Sequence, residues 1–364
     1  MTDVVADRTA DQTPLLVTRG LTRHFRIGGQ FGRTLHAVDD VDLTLNEREI
    51  VALVGESGSG KSTVARLLAK VYRPTRGEIL FAGRSLGDLR SRRDVLAYRG
   101  QVPMVFQDPF SSLNPVHTVG YAVLRGLKLH RPELGRDERE AEAVRALEAV
   151  GLIPGAQTMA RYPHELSGGQ RQRVGFAQAL SYEPRLVLAD EPVSMLDVSV
   201  RIGLLNLMAQ LRDEGLSFLY ITHDIASARY VADRVVVMYA AHVVETGPTD
   251  EVLHHPVHPY TRLLLSAVPD PRARTAVSAS DVGEPPRVVD PGEGCRFRWR
   301  CPLAVEICAR VTPQLALAAP AHEAACHVTV GTSGRDPAEA QHTRPRDPEI
   351  PSGAVPSAGP PDGV

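Results

Sequence analysis

Four short stretches carry residue types whose spacing can do chemistry. Gly55-Glu56-Ser57-Gly58-Ser59-Gly60-Lys61-Ser62, followed by Thr63, fits G-x-x-x-x-G-K-[ST]. Its glycines let backbone N–H groups turn inward around phosphates, and a helix N-terminus behind them favours anions. Lys61 is placed to set charge on the β- and γ-phosphates of ATP, and Ser62 to ligate Mg²⁺. Leu186–Ala189 is an apolar run ending in Asp190 and Glu191. A buried strand delivers its last side chains to the ligand edge of a sheet. Asp190 is therefore expected to hold Mg²⁺ and Glu191 to orient and polarise an attacking water. Leu166-Ser167-Gly168-Gly169-Gln170 joins a natural helix N-cap, Ser167, to two glycines that permit close backbone approach. A second phosphate-facing helix terminus makes sense if two subunits pair head to tail, each ATP lying between one P-loop and the other's Ser167–Gln170. Cys295, Cys301, Cys308 and Cys326 form the fourth stretch, with gaps of five, six and seventeen residues.

The elements that must position these residues follow from hydrophobic periodicity. Leu15–Val17 and Val38–Leu45 have the pattern of half-buried strands, and Ile50–Val54 that of a fully buried one. Residues 62–70 continue as a helix, then Glu78–Phe81 and Val102–Phe106 as strands. From Thr118 to Leu180 the signal is helical, with Val144, Leu147 and Val150 forming one stripe of the helix predicted over 137–150. Strands return at Leu186–Ala189, Phe218–Ile221 and Arg234–Met238, separated by helices near 198–212 and 225–232. Strand–helix alternation implies a largely parallel sheet covered by helices, and the helical block implies a second lobe. His254, His255 and His258 are expected to end and follow a helix.

Composition excludes several classes. Lys+Arg 41 against Asp+Glu 43 leaves a net charge of −2, which offers no polyanion-binding surface, so a nucleic-acid partner is not expected. Residues 1–13 form a polar leader without the apolar core of a secretory signal, and no run is long enough to span a membrane. Residues 331–364, rich in Pro, Gly, Ser and charge, have the composition of a disordered tail. The cysteines all lie between 295 and 326; in a reducing compartment that clustering suggests a metal or redox site, with an iron–sulfur cluster, zinc and free thiols all open.

Over residues 15–270 the ordered motifs resemble those of the ABC transporter ATPases. Gly55–Ser62 matches the Walker A loop, Leu166–Arg173 (LSGGQRQR) the signature, Asp190-Glu191 the Walker B end, and Ser194–Asp197 the D-loop. The resemblance gives Asp197 a place beside the nucleotide. It makes Gln107 the Q-loop residue that contacts the metal region and couples the site to membrane subunits. His223 becomes the switch histidine that stabilises charge at the γ-phosphate. Phe25 becomes the aromatic that stacks on adenine. QDP at 107–109, SLNP at 112–115, DEPVS at 190–194 and HPYT at 258–261 resemble the oligopeptide/dipeptide importer ATPases, of the type often called F. So do the surroundings of Cys295, Cys301, Cys308 and Cys326.

The implied fold is α/β. It is a P-loop NTPase core with a mostly parallel sheet, an N-terminal antiparallel β part, an inserted helical subdomain at about 108–180 and a small cysteine-bearing extension. The domains implied are 14–270 for the ATPase and 271–330 for the extension. The function implied is ATP hydrolysis powering peptide import from the cytoplasmic face of the membrane. The partners are a second, different ATPase chain, two membrane permease subunits and an extracytoplasmic solute-binding protein. A [4Fe-4S] cluster on the four cysteines is also implied, its charge offset by Arg296, Arg298 and Arg300. The alternatives are import of another solute, such as nickel complexes, or a soluble ATPase of the same class acting on nucleic acid or ribosomes. The stretch between P-loop and signature lacks sustained heptads, which disfavours the soluble class.

Overall fold

Alternation of apolar and charged residues draws the first two strands, β1 (Pro14–Ile27) and β2 (Arg33–Asn46), into a long antiparallel pair. The computed structural model describes residues 14–28, 32–108, 113–267 and 288–330. The leader (1–13), the tail (331–364) and most of the linker after 268 lie outside the described residues. β3 (Ile50–Val54) is apolar and buried throughout. β4 (Arg76–Phe81) and β5 (Arg84–Ser85) complete a small sheet in the order β2-β1-β4-β5, all antiparallel.

The main sheet adds β6 (Met104–Val105), β7 (Leu186–Asp190), β8 (Ser217–Thr222), β9 (Arg234–Tyr239), β10 (His242–Pro248), β11 (Ala316–Ala319) and β12 (His322–Ala324). Its order is β11-β12-β10-β9-β3-β8-β7-β6. β9, β3, β8, β7 and β6 run parallel, while β10, β12 and β11 continue the edge antiparallel. Five of its eight strands thus form the expected parallel part of a mixed sheet.

Period-two geometry sends alternate side chains of β3 to opposite faces. Val51 and Leu53 join a core with β1, β2 and the helix Lys61–Leu68. Ile50, Ala52 and Val54 join the larger core with the helices Gly168–Leu180 and Val198–Asp213. The helical lobe packs Val119–His130, Arg136–Ala149, Gly155–Ala160 and Gly168–Leu180 against one another, with a small core of Val123, Leu127 and Ala143. At the other end Cys295 N–H donates to Cys308 O at 2.8 Å, folding the cysteine segment back on itself. The hairpin β11–β12 then pairs with β10 through Ala324–Glu245 and Glu323–Thr246.

Candidate nucleotide-hydrolysis site

β3 ends at the phosphate loop, and two glycines there cannot be replaced without a clash. Gly55 has φ 151° and a Cβ on it would stand 2.2 Å from Met238 O; Gly60 has φ 110° and its Cβ would stand 2.3 Å from Ala37 O. Lys61 is buried, with Nζ donating to Gly55 O at 2.7 Å and Glu56 O at 2.8 Å. Burial pushes its pKa down, and the carboxylates of Glu191, Asp190 and Glu56 pull it back. These carbonyls hold the ammonium inside the loop, where it can exchange them for phosphate oxygens. Ser57 and Gly58 stand exposed at the loop tip, and Thr63 follows in the first helical turn.

β7 runs parallel to β8 and delivers Asp190 and Glu191 beside the loop. Ser62 Oγ donates to Asp190 Oδ1 at 3.0 Å, so the hydroxyl and carboxylate expected to hold Mg²⁺ already touch. Burial raises Asp190's pKa, and Glu191 raises it further. The donor set, one hydroxyl and carboxylates with Gln107 nearby, is the oxygen-rich set a hard divalent cation takes.

Glu191 adopts φ 47°, a left-handed conformation unusual for a side chain of this kind and one that strands avoid. Its N–H donates to Ile221 O at 2.9 Å, which fixes the turn against the end of β8. There the carboxylate meets two of the residues expected to work with it. Gln107 Nε2 donates to Oε2 at 3.0 Å, and His223 Nδ1 lies 3.1 Å from Oε1. Gln107, just beyond β6, and His223, just beyond β8, thus converge on Glu191 from either side of β7.

Ser167 caps the helix Gly168–Leu180: its Oγ accepts from Gln170 N at 3.2 Å, and its own N–H donates to Gln170 Oε1 at 3.0 Å. An open cleft beside it is lined by Ser167, Gly169, Gln170, Arg173, Ser199 and Val200. Asp197 precedes the helix Val198–Asp213, exposed and without a side-chain capping bond. Phe25 is half-buried on β1, with the Arg23 guanidinium 4.4 Å from its ring centroid and Tyr72 edge-on at 5.4 Å.

A scan against family models matches residues 38–194 to "ABC transporter" and 244–308 to "Oligopeptide/dipeptide transporter, C-terminal region". A putative peptide import ATP-binding protein of Brucella ovis is 43% identical over 319 residues, 86% of this chain and 98% of that protein. The chain belongs to the oligopeptide/dipeptide family of ABC transporter ATPases. The oligopeptide transport ATP-binding protein AppF of Bacillus subtilis is 42% identical over 327 residues, 88% of this chain and 98% of its own. Among solved structures, the dimeric post-hydrolysis state of the ATP-binding cassette MJ0796 bound to ADP and Pi superposes at TM-score 0.57 and 28% identity. It covers 64% of this chain and 98% of that one.

The four cysteines of this ATPase share one neighbourhood. Cys308 is buried and the others half-buried. Burial, with the neighbouring Cys326, Cys295 and Cys308 adding to it, pushes the Cys301 thiol up to about 11. A zinc tetrahedron needs sulfurs about 3.8 Å apart. Among the described residues, His24, His36 and Asp39 are the one group of three ligand atoms within 4.8 Å. The four sulfurs form no such group of three, so they are gathered more loosely than a single zinc ion needs. Of the three arginines expected to offset a cluster's charge, two pair with carboxylates of the cassette. Arg296 bonds Asp39 at 2.5 Å and Ala240 O at 2.6 Å, and Arg300 bonds Glu56, so both are committed to the cassette. Arg298 donates to Cys295 O at 3.1 Å.

Sequence reasoning missed this second set of contacts. Burial alone raises the pKa of Asp39, but His242, His36, Arg296 and His24 together hold the carboxyl far below its usual range. His258, expected to follow a helix, also caps the next one, its Nδ1 accepting from Tyr260 N at 3.0 Å.

Proposed function

We propose that this chain binds Mg²⁺-ATP between its own phosphate loop and the Ser167–Gln170 segment of a second ATPase subunit, and that hydrolysis drives peptide uptake. The observation that carries the reading is the convergence of Gln107 and His223 on Glu191, next to the Ser62–Asp190 pair. Glu191 orients a water in line with the γ-phosphorus and accepts its proton as the new P–O bond forms. The bond to the β–γ bridging oxygen breaks, and His223 stabilises the charge on the γ-phosphoryl oxygens. Ser62, Asp190 and Gln107 would hold Mg²⁺, which supplies charge neutralisation when bound. Gln107, bonded to Glu191, carries the state of the site toward the membrane permease subunits.

The names of the relatives support peptides as cargo, and the absence of any helix long and apolar enough to cross a membrane among the described residues fits a peripheral subunit. Its place is the cytoplasmic face, with two permease subunits and an extracytoplasmic binding protein as partners. Residues 14–270 serve as the ATPase and 271–330 as an extension. The gathered thiols support an iron–sulfur cluster on Cys295, Cys301, Cys308 and Cys326. Glu191→Gln is expected to lower turnover by at least about a hundredfold while ATP stays bound. Undiminished phosphate release from that variant removes Glu191 from the mechanism. Anaerobic protein is expected to contain near-stoichiometric iron and acid-labile sulfide; neither metal nor sulfide would leave the cysteines a structural role.

A further inference from the structure

We propose that Arg300, in the cysteine-bearing extension, is a positioning residue of the nucleotide site: it grips Glu56 of the phosphate loop and cancels its charge, so that the loop accepts a polyphosphate. The grip is bidentate, with Nη1 2.8 Å from Oε2 and Nη2 2.9 Å from Oε1, and Arg300 is 12% and Glu56 24% exposed. A planar fork of this kind fixes direction as well as distance. The guanidinium is itself held, 5.6 Å from the Tyr239 ring centroid and 5.9 Å from that of Phe297. The same loop residue is pinned through its backbone, because Glu56 N–H donates to Tyr260 Oη at 2.9 Å. Glu56 O is in turn one of the two carbonyls that carry the Lys61 ammonium.

A second strut stands on the other flank. Arg296 donates to Ala240 O, and the adjacent Ala241 N–H donates to Ser59 O of the loop at 2.9 Å. The extension therefore braces the loop at both Glu56 and Ser59.

Charge makes the role specific. The Glu56 carboxylate is close enough to Lys61 to act on its ammonium, so it also acts on phosphates bound there. Left unpaired, it repels ATP; paired with Arg300, it does not. A contact that merely packs the extension down has no such sign.

Titration of the full chain with a fluorescent N-methylanthraniloyl-ATP and Mg²⁺ tests this. The proposal rests on the loop holding ATP, which the wild-type titration checks in the same series. Arg300→Gln is expected to raise Kd about tenfold, equivalent to about 1.4 kcal/mol. The double variant Arg300→Gln/Glu56→Gln, which removes both charges, is expected to return Kd to within about twofold of wild type. An unchanged Kd in Arg300→Gln, or a double variant as weak as the single, overturns the proposal. Should Arg300→Gln fail to fold, Arg300→Lys carries the test. It keeps the charge without the fork and is expected to stay within about threefold of wild type; a tenfold loss there overturns the charge argument.

Discussion

At the end of β7 two neighbouring carboxylates answer to different surroundings. Glu191 stands among polar partners at a strained backbone position, whereas Asp190 is buried, 6% exposed, with Ser62 as its bonded partner and Glu191 as a like-charged neighbour. Asp190's pKa is raised above its unfolded value, so the folded chain holds the proton longer as pH rises. Stability therefore falls as pH climbs through the window above 3.8, and the ionised carboxylate works against the nucleotide-free fold at neutral pH. Asp190→Asn is expected to raise the apoprotein's Tm at pH 7 by about 2–4 °C, corresponding to about 1 kcal/mol, while abolishing Mg²⁺-dependent turnover. Thermal scans should show that advantage shrinking as pH falls from 7 toward 3.8; a lower Tm at pH 7 would contradict this account. Asp190, Glu191, Lys61 and Ser62 were legible because each motif is local and its neighbours in sequence prescribe its chemistry. Arg300 was not, because its partner Glu56 is 244 positions away and nothing near either residue announces the pair.

Legibility of the elements follows burial. β3 matches its predicted bounds, and β7, β8 and β9 extend them by a residue or so at one or both ends, since each is an apolar run ended by turn or polar residues. β1 and β2, expected as 15–17 and 38–45, reach fourteen residues apiece because solvent-facing arginines and aspartates interrupt their apolar pattern. β10 escaped prediction for two reasons. The turn before it uses Ala240 and Ala241, both at positive φ, where glycine or asparagine normally signals a hairpin. The strand also carries Glu245 at its centre. That carboxylate is fully buried and accepts from Val257 N at 2.7 Å and His258 N at 3.0 Å, with His322 Nε2 of β12 2.7 Å away. It ties β10 to the segment before the helix Pro259–Ser266 and to the C-terminal hairpin. Glu245→Ala strands these donors, so urea unfolding is expected to show a loss of about 3–5 kcal/mol. A loss below about 1 kcal/mol would mean the carboxylate is not what joins the extension to the sheet.

In the proposed head-to-tail arrangement the molecule as a whole supplies one half of each catalytic site. Asp190 and Glu191 lie at the end of central strand β7 and Lys61 opens the helix after the phosphate loop, whereas the Ser167 cleft belongs to the helical lobe, exposed and already organised by its own capping box. Beside that cleft Met195 is 60% exposed, Val198 69% and Ile202 43%, an apolar strip next to the uncapped Asp197. Buried apolar area is the dominant favourable contribution to protein association. That strip, the open helix terminus and the exposed loop tip suit a nucleotide closing two subunits face to face. Nucleotide binding to one chain and turnover by two then separate experimentally. Ser167→Arg fills the cleft with a long side chain but leaves the phosphate loop untouched. Phosphate release by the complex with its partner ATPase is expected to fall at least about a hundredfold, while the fluorescent-ATP Kd of the isolated variant matches that of the wild-type chain. If Ser167→Arg instead weakens binding to the isolated chain as much as it slows the complex, the cleft acts within its own subunit and the head-to-tail arrangement is wrong.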